Sequence, residues 1–408
     1  MTIAVIGIGV ACGLGHGKEA FRKGLFEATN VFSQLKRDGR EPPEGGVPFI
    51  GVEMPEPPTL LPSRLARTAT LSSRAAISVL DEAWNEAGLD AVDPERIGLV
   101  VGGSNLMTRE RVIALRDYAG RLAYVPPRHG HMFLDTDICG LCTATYPIRG
   151  FAYSVGAASA SGSVAIIQAM EAIRSGRVDV CIALGALQDL SAHDLQAMRA
   201  MGALGSTRFA DSPSEACRPM DAGHDGFIYG EACAALVLCR ADRVAGGKVY
   251  GEILGASHVA DGSRGPEPSS TGQVRAANLA LAEAGLIVSD IDYVNGHATS
   301  TPTGDDTELE TYRSLGLEHA RINATKSILG HGLSAAGAIE VAAVMIQIEE
   351  GRLHPNRNLE TPLDPRFGWV RGEAESHDIR HALKFSFGFG GVDTALVIGA
   401  PGTGRRRQ

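Results

Sequence analysis

The chain alternates short apolar runs rich in Val and Ile with longer Ala-rich segments, and this alternation restricts it to few folds. The apolar runs cover residues 3–8, 97–102, 178–185, 235–238, 291–294 and 395–398, and the helical segments cover residues 72–87, 161–175, 272–284 and 335–350. Continuous apolar runs of this length are typical of strands that helices cover on both faces. The pattern therefore predicts an α/β protein with largely buried strands.

Composition narrows the class of protein further. The 408 residues are 44% hydrophobic and 21% charged, which indicates a compact protein with a large core. The formal net charge is -9, and the only sustained basic run is the terminal Arg405-Arg406-Arg407, so nucleic acid is not an expected partner. No apolar run reaches about 18 residues, so no membrane span is expected.

The cysteines and the glycines at the start of the chain predict where the protein is located and whether it binds a metal or a cofactor. The seven cysteines follow no secreted framework, and the first residues predict a strand rather than a signal peptide, so the expected compartment is the cytoplasm. Cys139-Gly-Leu-Cys142 has no second pair at metal-ligand spacing, which favours core packing and no metal site. Gly7 and Gly9 lack the third glycine of a dinucleotide fingerprint, so no bound cofactor is expected.

Four short motifs carry the candidate chemistry. They are the turn Gly156-Ala-Ala-Ser159-Ala-Ser-Gly162, the segment Asn295-Gly-His297-Ala-Thr299-Ser-Thr301-Pro302, the segment Thr325-Lys326 to His331 with the following Ala335-Ala-Gly337-Ala-Ile-Glu340, and the loop Ser386-Phe387-Gly-Phe389-Gly-Gly391. The first motif has the form of a nucleophile turn that holds a serine. A serine hydroxyl is a much poorer nucleophile than a thiolate unless an adjacent base activates it.

In this order and spacing the motifs resemble those of the β-ketoacyl synthases of fatty acid and polyketide assembly, over residues 3–398. The resemblance implies a thiolase-like α/β fold of two similar lobes in a five-layered αβαβα arrangement, normally a homodimer. Residues 1–245 are then the N-terminal lobe, which carries the nucleophile-position turn. Residues 246–408 are the C-terminal lobe, which carries the two-histidine site, and the two lobes form one catalytic unit.

The resemblance also implies a role for each candidate residue. His297 and His331 match the family's two catalytic histidines, Lys326 matches its catalytic lysine, and Ser159 stands where the family has a cysteine. The remaining matches are the backbone amides of Ser159 and Phe389 as the oxyanion hole, Phe389 as a gate, Thr299 and Thr301 as partners of the substrate's phosphopantetheine arm, and Glu340 as support for Lys326. The chain departs from the family at Phe385, Val392, Asp393 and Ala298, which affects the acyl pocket and the gate but neither histidine.

The loss of the cysteine divides the family's reaction into two halves. Two imidazole N–H donors can stabilise the enolate that forms when a malonyl thioester loses carbon dioxide, and this step needs no nucleophile. The resemblance is to the stand-alone decarboxylases of polyketide β-branching cassettes, which convert malonyl on an acyl carrier protein into acetyl. Two alternatives remain open: a condensing enzyme or acyltransferase that uses a Ser159 ester, and a non-catalytic subunit like the chain-length factor. Ser159 is also a candidate for a purely structural hydroxyl that caps or packs at the start of the following helix.

Expected partners follow from the same resemblance. The chain contains no Asp-Ser-Leu attachment motif, so the phosphopantetheine arm is expected on a separate acyl carrier protein that meets this chain in trans. A homodimer is expected, and a hydroxymethylglutaryl-synthase-like enzyme is the expected pathway partner.

Overall fold

The computed structural model describes residues 1–205, 207–244 and 247–404. Its strands are β1 (Ile3–Cys12), β2 (Gly15–His16), β3 (Ser33–Gln34), β4 (Ile50–Val52), β5 (Ile97–Gly102), β6 (Phe151–Val155), β7 (Val180–Gly185), β8 (Tyr229–Gly230), β9 (Ala232–Arg240), β10 (Gly251–Ala260), β11 (Tyr293–Asn295), β12 (Arg321–Asn323), β13 (Arg352–Leu353), β14 (Gly368–Trp369), β15 (Glu375–Ser376), β16 (His381–Gly388) and β17 (Val392–Gly399). Its helices are α1 (Lys18–Phe26), α2 (Ser63–Ala66), α3 (Leu71–Ala87), α4 (Thr108–Asp117), α5 (Thr136–Thr145), α6 (Ser161–Arg174), α7 (Ala192–Ala200), α8 (Ser270–Ala284), α9 (Pro302–Leu315), α10 (Lys326–Leu329) and α11 (Ala336–Glu350).

The two halves of the chain use the same strand order. In the first half β1 pairs with β9, β9 with β7, β7 with β5, and β5 with β6; in the second half the order is β10, β17, β16, β11 and β12. In both halves the first two pairings are antiparallel and the last two are parallel. The antiparallel pair of β1 and β10 joins the halves into one large sheet. The predicted α/β class with two similar lobes is therefore confirmed.

Helices form three layers around the two halves of the sheet. Helices α6 and α11 pack on each other and on strands of both halves, so they form the central layer. Helix α3 covers β1 and β9 on one outside, and α8 covers β10 and β17 on the other. Three apolar clusters fill the spaces between the layers, the largest of them around α6 and α11. The order of layers is αβαβα, as the resemblance implied.

Small residues let the two central helices approach each other. A Cβ on Gly162 would lie 2.6 Å from the backbone nitrogen of Ala338, and one on Gly337 would lie 2.3 Å from that of Ser163. Both distances are impossible for real atoms, so glycine is required where α6 and α11 begin. The crossing places the turn before α6 beside the loop before α11, and these two segments carry Ser159 and His331.

The predicted elements agree closely with the observed ones. Each of the four helical segments and six apolar runs corresponds to a helix or strand, with differences of a few residues at the ends. Cys139 and Cys142 are both buried in the cluster under α3, as the packing interpretation expected. No helix in the described part of the chain is long and apolar enough to cross a membrane. The proposed boundary at residues 245 and 246 and the arginines at 405–407 lie outside the described residues.

Candidate active site

All four motifs follow the carboxyl ends of strands. The Ser159 turn follows β6, His297 follows β11, the segment with Lys326 and His331 follows β12, and Phe389 follows β16. Strands β11, β12 and β16 run parallel, so their carboxyl ends meet at one edge of the sheet. The central helices bring the Ser159 turn to the same place, and the four motifs form a single site.

Ser159 lies in a short turn, Ala158–Ala160, just before α6. Ala158 has a φ of 47°, a left-handed conformation that costs a non-glycine residue about 1 kcal/mol or more. The Ser159 hydroxyl lies 2.9 Å from Nε2 of His331. It does not cap the helix, because the N-cap of α6 is Ala160 and the Ser161 hydroxyl accepts the backbone N–H of Ala157. The predicted alternative of a capping hydroxyl at Ser159 is therefore wrong, while a packing role stays open.

His331 is held as a hydrogen-bond donor. Its Nδ1 accepts the backbone N–H of Leu333 at 3.2 Å. Burial, followed by the positive charges of Lys326 and Lys384, lowers the pKa of His331 well below its usual value, so the ring is neutral. A neutral ring that accepts at Nδ1 carries its proton on Nε2. The Nε2–H group therefore donates toward Ser159 and the space beyond it.

His297 has the same protonation pattern for a different reason. Lys326 Nζ donates to the His297 carbonyl oxygen at 2.6 Å and lies 3.3 Å from Nδ1 of the same residue. Because the ammonium group has only donors, Nδ1 is the acceptor and Nε2 carries the proton. Burial, Lys326 and His331 all lower the pKa of His297 well below its usual value. The two rings meet edge to face with centroids 5.5 Å apart, so the site contains two neutral Nε2–H groups.

Glu340 and Lys326 lie behind the histidines. Lys326 Nζ donates to Glu340 Oε1 at 2.5 Å, and both side chains are buried. Neither residue lines the cavity. Lys326 contacts His297 at two atoms, so this geometry places it where it can orient that ring, and its predicted catalytic role stays a prediction.

A cavity of about 320 Å³ opens in front of the histidines. The residues predicted for the site that line it are Ser159, His297, Thr299, Thr301, His331 and Phe389. The Thr299 and Thr301 hydroxyls lie 2.8 Å apart on its wall. The cavity is lined by both polar and apolar side chains. Among residues 1–205, 207–244 and 247–404, no group of three or more His, Cys, Asp or Glu is arranged to hold a metal ion.

The glycine-rich loop closes one side of the cavity. A Cβ on Gly388 would lie 2.4 Å from the carbonyl oxygen of Ala157, so the loop touches the Ser159 turn. Gly388 directly precedes Phe389, and Ala157 lies two residues before Ser159, so the oxyanion hole predicted from the amides of Ser159 and Phe389 stays a prediction. The Phe389 side chain is 44% exposed, whereas Phe387 is buried with its ring 5.3 Å from that of His297. Phe387 belongs to the apolar cluster of the second half and also lines the cavity.

Comparisons with known proteins agree with this site. Residues 1–243 match the family model described as Beta-ketoacyl synthase, N-terminal domain, and residues 250–360 match Beta-ketoacyl synthase, C-terminal domain. The chain belongs to the β-ketoacyl synthase family. The polyketide biosynthesis malonyl-ACP decarboxylase PksF of Bacillus subtilis (strain 168) is 46% identical over 97% of this chain and 96% of its own length.

Solved structures of ketosynthases share the fold. A β-ketoacyl synthase from Burkholderia phymatum STM815 superposes with a TM-score of 0.86 at 27% identity, covering 98% of this chain and 99% of that one. The ketosynthase in the AntDE:AntF complex, a type II polyketide system with its acyl-carrier protein, superposes with a TM-score of 0.84 at 25% identity and the same coverage. The thiolase-like fold of this ketosynthase-family chain is thereby confirmed.

Sequence reasoning missed two acidic residues of the site. Glu308 on α9 accepts the backbone N–H groups of His297 and Ala298 at 2.7 and 2.5 Å, and burial raises its pKa to about 7. Asp305, one turn earlier, accepts the backbone N–H of Ser300 at 3.0 Å. Their signal was present: Pro302 starts a helix, and acidic residues three apart on its first turns share one face.

It also missed a lysine. Lys384 lies in the middle of the buried strand β16, and its side chain is fully buried. A charged residue within a buried strand needs a buried partner, which could have directed attention to it. The departures at Phe385 and Asp393 are both buried, and Phe385 packs against Phe387 at 5.5 Å.

Proposed function

We propose that this protein decarboxylates malonyl groups carried on the phosphopantetheine arm of an acyl carrier protein and releases the acetyl thioester. The observation that carries the proposal is the pair of neutral Nε2–H groups of His297 and His331, which line one cavity next to a serine instead of a thiol. The 46% identity to the malonyl-ACP decarboxylase PksF over nearly the whole chain supports it.

The reaction follows from these donors. The phosphopantetheine arm enters along Thr299 and Thr301, and the thioester oxygen accepts hydrogen bonds from both imidazole Nε2–H groups. The bond between the carboxylate carbon and C2 breaks, carbon dioxide leaves, and the electron pair moves onto the thioester as an enolate. The two donors stabilise the enolate oxygen. A proton from water then adds to C2 and completes the acetyl group, because no acyl-enzyme is present to react with the enolate.

The protonation of His331 argues against a serine ester. To activate Ser159, His331 would have to accept the hydroxyl proton at Nε2, but that atom already carries a proton because Nδ1 accepts from Leu333. The pair is 2.9 Å apart, yet the imidazole is the donor. In this proposal the Ser159 hydroxyl accepts the hydrogen bond from His331 Nε2 in the empty site, and the thioester oxygen replaces it as the acceptor when substrate binds.

The proposal extends to the partners. The carrier protein is a separate chain, as in the complex of AntDE with its acyl-carrier protein AntF. A homodimer is favoured by the edge of the large sheet: every residue of β6 is only partly buried, and within residues 1–205, 207–244 and 247–404 no strand pairs with its outer edge. A hydroxymethylglutaryl-synthase-like enzyme that uses the acetyl group is the proposed pathway partner, on the strength of the polyketide role in the name of PksF.

Intact mass spectrometry of a malonyl-loaded carrier tests the proposal. The protein should convert the malonyl carrier to acetyl carrier, His297→Ala should lose this activity, and Ser159→Ala should keep it within about tenfold. Ser33→Ala, an exposed serine far from the cavity, is the matched control. Ser159→Cys should become acylated on the enzyme, whereas the natural protein should stay unmodified.

Each alternative has its own signature in the same experiment. An acyl mass on the natural enzyme that disappears in Ser159→Ala would replace the proposal with serine ester chemistry. An absence of turnover on every malonyl carrier, together with stable binding to a cysteine-containing ketosynthase, would replace it with the non-catalytic subunit.

A further inference from the structure

Lys384 is a buried cation in the layer directly behind the histidines. It sits in the middle of β16, three residues before Phe387, whose ring contacts His297. Its Nζ donates to the Phe385 carbonyl oxygen at 2.6 Å and to the Ser386 hydroxyl. A lysine is almost never fully buried without a functional or ionic reason, because removing the ammonium group from water is costly.

Its ionic partner is already shared with another lysine. Lys384 Nζ lies 2.8 Å from Glu340 Oε2, while Lys326 Nζ lies 2.5 Å from Glu340 Oε1. One carboxylate therefore faces two ammonium groups, and the buried triad has a net charge of +1. The other titratable groups that face it are the neutral rings of His297 and His331, and Glu308 on α9, whose pKa of about 7 leaves it only partly charged at neutral pH.

A surplus buried charge is a poor way to stabilise a fold. Lys326 and Glu340 alone would form a neutral pair, and an apolar side chain at residue 384 could be buried without the cost of removing a charge from water. The extra charge is, however, well placed for the reaction. From Lys384 the contacts run through Glu340 to Lys326 and on to Nδ1 of His297, each within 3.3 Å.

We propose that Lys384 is a positioning residue for decarboxylation, which holds the surplus positive charge of the triad behind the histidine pair and thereby favours the enolate over the neutral thioester. The inference rests on the proposed function. The substrate carboxylate leaves as neutral carbon dioxide, so the negative charge moves toward the thioester oxygen as the reaction proceeds. A fixed positive charge behind the donors acts more strongly there than it would in water, because all three side chains of the triad are buried.

Two further properties of the structure agree with this role. Both lysines lower the pKa of each histidine, which keeps Nδ1 of His297 free to accept from Lys326. Burial lowers the pKa of Lys384 to about 8, so the surplus charge should disappear just above neutral pH. A wild-type rate that declines as pH rises through about 8 is the expected consequence.

Lys384→Met tests the role, because methionine fills similar space without charge and leaves the neutral pair of Lys326 and Glu340. We expect kcat to fall about tenfold, KM to stay within twofold, and the decline above about pH 8 to disappear. The melting temperature should stay equal or rise, since a buried charge is removed. Lys248→Met, which removes the same charge from a half-exposed surface lysine, should change none of these.

A second measurement does not depend on turnover. The histidine ring signals of the protein, labelled at histidine and followed by NMR, should show a higher pKa for His297 in Lys384→Met than in the natural protein. If the natural protein fails to decarboxylate malonyl carrier, the proposed function is wrong, while this titration still decides whether Lys384 acts on the histidines. An unchanged kcat, or a loss of kcat that accompanies a lower melting temperature and an unshifted His297, overturns the inference.

Discussion

The donor role of His331 can be tested with variants that each remove the function of only one of its two ring nitrogen atoms. Nδ1 accepts the Leu333 N–H, and Nε2 donates into the cavity. Asparagine places a carbonyl oxygen near the position of Nδ1 but has nothing at Nε2. Glutamine reaches the position of Nε2 with an N–H donor but leaves the Leu333 group without its acceptor. The pair His331→Asn and His331→Gln therefore removes one function at a time.

The expected magnitudes follow from these two contacts. Loss of one preorganised donor to a developing oxyanion lowers kcat by a factor of about 10²–10³, so the kcat of His331→Asn should be lower by that factor. His331→Gln should retain kcat within about tenfold because its amide still donates. Its cost should appear in stability instead: a buried N–H of Leu333 without a partner costs about 1–3 kcal/mol in the free energy of unfolding.

The assay is the steady-state rate of acetyl-carrier formation, followed by mass spectrometry, with urea unfolding of each variant measured in parallel. A base that takes the proton of Ser159 would need the lone pair of a neutral imidazole, which neither amide supplies. Equal and complete loss of activity in both variants, together with an inactive Ser159→Ala, would refute the donor argument. A kcat that falls in proportion to the loss of unfolding free energy, whether or not the variant keeps a donor, would refute it as well.

Three other outcomes are expected. Lys326→Met should lower kcat more than it raises KM, because the ammonium group orients the His297 ring through Nδ1. It should also raise the pKa of His297 in an NMR titration, because the positive charge of Lys326 disfavours protonation of that ring. Burial, followed by the charge of Asp261, raises the pKa of Asp393 to about 7, so the folded state should lose stability as pH rises from about 4 to 7. Asp393→Asn should remove this loss and gain about 2–4 kcal/mol in the free energy of unfolding at pH 8 but nothing at pH 4, as chemical denaturation at the two pH values would show. Ala158→Gly should raise the free energy of unfolding by about 1 kcal/mol, since the residue already has a positive φ; an unchanged or lower value would mean that the turn is not strained.

The sequence determined the elements and most members of the site. Continuous apolar runs predicted buried strands such as β5, and Ala-rich segments predicted α3, α6, α8 and α11 to within a few residues, whereas α9 was not predicted. Motifs with a specific order placed Ser159, His297 and His331 in one constellation, and the structure brings all three to one cavity. Their roles remain predictions until the variants are measured.

The tertiary structure decided what these residues can do. The proton positions of His297 and His331 depend on Lys326 and on the Leu333 backbone, and Lys326 is 29 residues from the histidine that it touches. The charge of the site depends on Glu340 and Lys384, which meet only because α11 packs on β16. Spacing along the chain reports local periodicity and motif order, whereas protonation and electrostatic field depend on distances across the fold, which no local pattern contains.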